Sequence, residues 1–130
     1  MTLRTALKLD ALVTGVNGAA YLLLAGPLGE LLGLAPTLLR GAGAFLLAFA
    51  ALVWVAGTRE HIPHTAVTAI VAANVVWVID SLVMALAGWG SPSTAGTVWL
   101  VTQALVVGAF AELQITGLRR APRAWMATTA

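Results

Sequence analysis

Asn17, Tyr21, Asn74, Trp77, Trp99 and Gln103 stand inside otherwise apolar stretches, and each offers a hydrogen-bonding group, an aromatic face or both. In hydrocarbon such groups have no water to turn to, so they bond to one another or to a ligand. At about 1.5 Å per residue, the two asparagines and the glutamine fall within one or two turns of the middle of their stretches. Turned inward, the six form a polar-aromatic seam able to hold a small, partly apolar molecule. The competing reading is interhelical glue, with amides bonded across helices.

Two charges demand a separate account. Asp80 lies deep in the run from Thr65 to Gly88, and Arg40 lies one turn inside the preceding apolar stretch. A carboxylate in hydrocarbon costs at least ~2.5 kcal/mol on insertion scales, so it needs a partner. A buried Arg40–Asp80 pair is the expected solution, with a proton- or cation-coupling carboxylate as the functional alternative. Asp10 and Glu112 fall near helix ends, within reach of Arg4, Lys8 and Arg119, and are expected in interfacial salt bridges. His61 and His64 flank Pro63 in a loop, and two imidazoles do not complete a metal site. The chain has no cysteine, which removes disulfides and thiolate metal sites. No catalytic residues, metal or cofactor are expected, and hence no enzyme.

The elements that must position these residues follow from composition. Of 130 residues, 60% are hydrophobic and 9% charged, where a soluble domain carries about 25% charged residues. The mean hydropathy is +0.94. The expected fold is all-α: one transmembrane domain, an integral membrane four-helix bundle with spans at about residues 7–26, 37–57, 65–88 and 93–117 and a tail over 118–130. Gly26-Pro27 should break the first span, Pro27 to Leu39 should form an interfacial connector, and Gly88 to Thr94 should form a turn. The first span has no clear cleavage pattern after it and is expected to be retained.

Within the first span Asp10, Thr14, Asn17 and Tyr21 recur at spacings of four, three and four, which puts them on one stripe. Gly15, Gly18 and Ala19 form a small-residue surface nearby, and Gly41, Ala44, Ala48 and Ala51 form another on the second span. These faces are expected to mediate association. Gln103 shares its stripe with Trp99, Phe110 and Gln114. A weak repeat aligns the segment from Gly43 with that from Gly96, and Asn17 and Asn74 each precede an aromatic residue.

Lys and Arg decide orientation. Arg4, Lys8, Arg59, Arg119, Arg120 and Arg123 fall on one side and Arg40 alone on the other, so both termini are expected in the cytoplasm. Trp54 and Trp89 fit interfacial belts at opposite faces. The net charge of +2 comes from these flanking residues; they meet lipid headgroups, and no nucleic acid partner is expected.

Taken together, LDALVTGVNGAAYLLLAG, NVVWVIDSL and QALVVGAFAELQITGLRR resemble a group of small four-span integral membrane proteins of high-GC bacteria. That resemblance implies a bacterial inner-membrane location and brings no activity with it. Two functions stay open: binding or transport of a small, partly apolar molecule in the seam, or a structural or accessory subunit locked to a homodimer mate or another membrane protein. A binder of drug-sized molecules needs a cavity of about 300 Å³ or more.

Overall fold

The computed structural model describes residues 2–88 and 92–120, and these are all-helical. In order they form α1 (Leu3–Leu23), α2 (Ala25–Leu32), α3 (Pro36–Thr58), α4 (His64–Ala87) and α5 (Thr94–Arg120). Three of them, α3, α4 and α5, are long and apolar enough to cross a membrane; the bent pair α1 and α2 makes a fourth if counted as one span. Trp89, expected in the interfacial belt, and Arg123, expected on the cytoplasmic flank, lie outside the described residues.

The first span departs from expectation. It stops at Leu23, before Gly26-Pro27, and the chain turns by 96° into α2. Pro27 sits in the first turn of α2, where its missing N–H removes no intrahelical bond. The expected connector is therefore mostly helix, shared between the end of α2 and the start of α3. Gly33 ends α2 at φ 69°, a left-handed conformation that favours glycine, and Pro36 opens α3. Gly88 ends α4 in the same way at φ 73°.

Packing is closest between α1 and α3. A Cβ on Gly18 would lie 2.9 Å from the Gly43 carbonyl oxygen, and one on Gly43 would lie 2.7 Å from the Gly18 carbonyl oxygen. Two backbones meet there because neither residue has a side chain. The small face of α1 is thus used within the chain. Gly96 does a different job from Gly43: a Cβ there would overlap the Leu32 carbonyl, so α5 closes on α2. Ser93 reinforces that contact, its Oγ donating to the Leu31 carbonyl at 2.7 Å and its N–H to the Leu32 carbonyl at 2.9 Å. By contrast the backbones of α3 and α4 stand apart, and side chains bridge them.

The apolar core divides into two clusters. One, at the end holding the α3–α4 loop, contains Leu3, Leu7, Ala11, Val53, Ile62, Val67 and Ile70. The other contains Tyr21, Ala25, Leu32, Leu34, Leu39 and Leu46. The polar side chains sit at and between them.

Candidate functional site

Two hydrogen-bonded nodes lie along the α1 stripe. In the first, Tyr21 Oη accepts from Trp99 Nε1 and from Gln103 Nε2, each at 2.7 Å. Gln103 Oε1 in turn accepts from Asn17 Nδ2 at 2.9 Å. Four of the six expected seam residues are therefore joined, with α1 supplying two and α5 the other two.

The second node was not foreseen as a unit. Asp10 is 1% exposed. Its Oδ1 accepts from Thr14 Oγ1 at 3.0 Å, and its Oδ2 accepts from Asn74 Nδ2 at 2.9 Å and Gln114 Nε2 at 2.6 Å. Asn74 Nδ2 also donates to Gln114 Oε1 at 3.0 Å. All three neighbours donate to it. Among the described residues no cation pairs with it.

The interfacial salt bridges expected for Asp10 do not form. Arg4 instead donates to the carbonyls of Gly57 at 2.6 Å and Glu60 at 3.3 Å, satisfying acceptors at the end of α3. Lys8 Nζ stands 5.5 Å from the Trp54 ring centroid, and Glu112 is exposed.

The expected buried pair of Arg40 and Asp80 is also corrected: both side chains are exposed. Rotation explains it. Arg40 is nine residues from Phe49, about half a turn around α3, and Phe49 packs on the cluster that contains Val67 and Ile70 of α4. Arg40 thus points away from α4.

Between the two nodes is a cavity of about 140 Å³. Thr14 and Asn17 line it from α1, Phe45 and Phe49 from α3, Asn74 and Trp77 from α4, and Trp99 and Gln103 from α5. Five of the six expected seam residues share this wall, and Tyr21 stands behind Trp99 and Gln103. Trp77 stacks on Phe45 with centroids 6.4 Å apart and planes 9° from parallel. Among the described residues no charged side chain lines the wall. Its rim includes the exposed Val13, Phe45 and Val106. The volume is below the drug-sized threshold and close to that of an engineered apolar cavity of about 150 Å³ that takes up benzene.

A larger, open trough of about 650 Å³ runs beneath α2, walled by Leu12, Val16, Leu28 and Leu31 and sharing Asn17 and Trp99 with the cavity. Among the described residues no buried side-chain nitrogen or oxygen lacks a partner, and no group of three metal-ligating side chains assembles. His61 is exposed and His64 opens α4.

Asp10, Thr14 and Gln114 are the site residues that counting along the helices missed as a group, although the spacing of Asp10 and Thr14 with Asn17 carried the signal. Searches of protein-family models, curated proteins and solved structures find no match to this chain.

Proposed function

We propose that this protein is a multi-pass protein of the bacterial cell membrane that binds, without catalysis, a small and mostly apolar molecule in the cavity between the two nodes. The observation carrying this reading is convergence: four helices each bring aromatic or amide groups to one 140 Å³ space. Asn17 spends an amide hydrogen on Gln103, which fixes its side chain at the cavity wall. The occupant is about the size of a single ring. The Lys and Arg distribution supports an orientation with both termini in the cytoplasm, and the exposed rim supports entry from the bilayer.

Native mass spectrometry of protein gently extracted from its own membrane tests the reading. A reproducible small molecule, lost in Asn17→Leu, is the expected result.

A second reading is a structural or accessory subunit, favoured by the complete pairing of buried polar atoms among the described residues. A ligand-free mass that carries a second, different membrane protein would support it against the first.

A further inference from the structure

Asp80 and Arg40 are each exposed on their own chain and do not pair within it, yet they lie at matched depth. Measured from the α3–α4 loop, Arg40 is 18 residues along α3 and Asp80 is 16 residues along α4, or about 27 and 24 Å. The 24 residues of α4 span about 36 Å, so Asp80 stands several ångströms inside a hydrocarbon layer about 30 Å thick. Charged side chains at such depth pair with one another or face the interior.

The surface beside each charge admits a close neighbour. Gly41, Ala44, Ala48 and Ala51 are all exposed and recur every three or four residues, forming a stripe next to Arg40 on the side of α3 turned from α1. On α4 the exposed Ala69, Val76 and Ala87 share the face of Asp80. Small residues on such faces let helices approach within packing distance.

We propose that the protein forms a two-fold dimer in which the α3 stripe of one copy packs on α4 of a second, pairing Arg40 with the second copy's Asp80. A second copy is the occupant that fits because one chain carries both halves of the pair at one depth. A two-fold axis along the membrane normal then satisfies all four charges at once. The contact stands independently of any ligand in the cavity.

Complementation in trans tests this. Two mass-tagged variants, Asp80→Arg and Arg40→Asp, are reconstituted separately and together, and subunit number is read by native mass spectrometry from vesicles. Each variant alone places two like-charge pairs across the two-fold axis, and its dimerisation constant should fall by about a hundredfold relative to the wild type, about tenfold for each pair in a partly screened site. Mixed, they should form heterodimers at the wild-type level, since both cross-chain pairs are then of opposite sign. A pair within one chain cannot be rescued this way.

Because the chain has no cysteine, Ala44→Cys and Val76→Cys copies provide a probe that leaves the charges in place. These exposed positions lie about 21 and 18 Å from the α3–α4 loop. They should cross-link between chains through a short bismaleimide. A monomeric wild type, single reversals that dimerise normally, a mixture that stays monomeric, or absence of the cross-link would each overturn the proposal.

Discussion

Gln114 Nε2 lies 2.6 Å from Asp10 Oδ2, joining α5 to α1 across 104 positions of sequence. With Asn74 donating to the same oxygen, a carboxylate among apolar helices is held by neutral donors alone. Removing a donor from such a group costs more than removing the group, because buried acceptor oxygens left short of partners have no water to turn to.

That asymmetry gives the first prediction. Gln114→Leu should destabilise the fold by about 2 kcal/mol. Asp10→Leu leaves Asn74 and Gln114 bonded to each other and should cost less, under about 1 kcal/mol. Reversible unfolding in mixed micelles measures both, and the opposite order would show that the carboxylate is the keystone of the node.

Backbone contact between α1 and α3 makes Gly18→Ala and Gly43→Ala severe. Each new methyl would meet main-chain atoms at 2.7 to 2.9 Å, so the helices must separate, at a cost of about 1 to 3 kcal/mol. Gly26→Ala meets nothing within 4 Å and is the matched control. Thermal melts of the three variants should place the first two well below the third.

Tyr21→Phe removes the acceptor shared by Trp99 and Gln103. Intramembrane hydrogen bonds average about 0.6 kcal/mol, so the loss should be about 1 kcal/mol for the two. Tryptophan emission gives a second readout, because the Trp99 indole N–H is left without its partner. An unchanged spectrum and stability would mean the Tyr21 hydroxyl is not engaged.

Ser93→Ala should loosen one element and spare the rest. Its hydroxyl ties α5 to the Leu31 carbonyl and accepts from the Gly96 N–H at 3.0 Å. Amide exchange should speed up over α2 by about tenfold, the effect of one hydrogen bond of about 1.4 kcal/mol at the strong end of its range. Protection in α3 and α4 should hold.

The long helices were legible because apolar windows of twenty residues and Gly or Pro breaks are one-dimensional signals. α3, α4 and α5 lie within a few residues of where these signals place them. The grouping of four seam residues was legible for a related reason: Asn17 with Tyr21 on α1, and Trp99 with Gln103 on α5, stand four residues apart, and such a spacing fixes a face.

Asp10 was misplaced because its position along α1 gives its depth and not its surroundings. Burial there is decided by Asn74 and Gln114 on other helices. The same limit explains Arg40 and Asp80. Counting residues set them level, but the rotation of α3 about its axis is set by Gly18 packing on Gly43, a contact that sequence spacing does not contain. The bend after Leu23 came early because the Gly96 and Ser93 contacts hold α2 from a distance in sequence.

The 96° turn into α2 also gives the molecule unequal ends. Eight residues lying across the bundle add a strip about 12 Å long at one end, with no counterpart among the described residues beside the short α3–α4 loop. Seen from the side with the long helices upright, the described residues are broader at that end. Placed in a bilayer, such a shape displaces more lipid from one leaflet than from the other, and the energy of holding it there depends on how tightly that leaflet is packed.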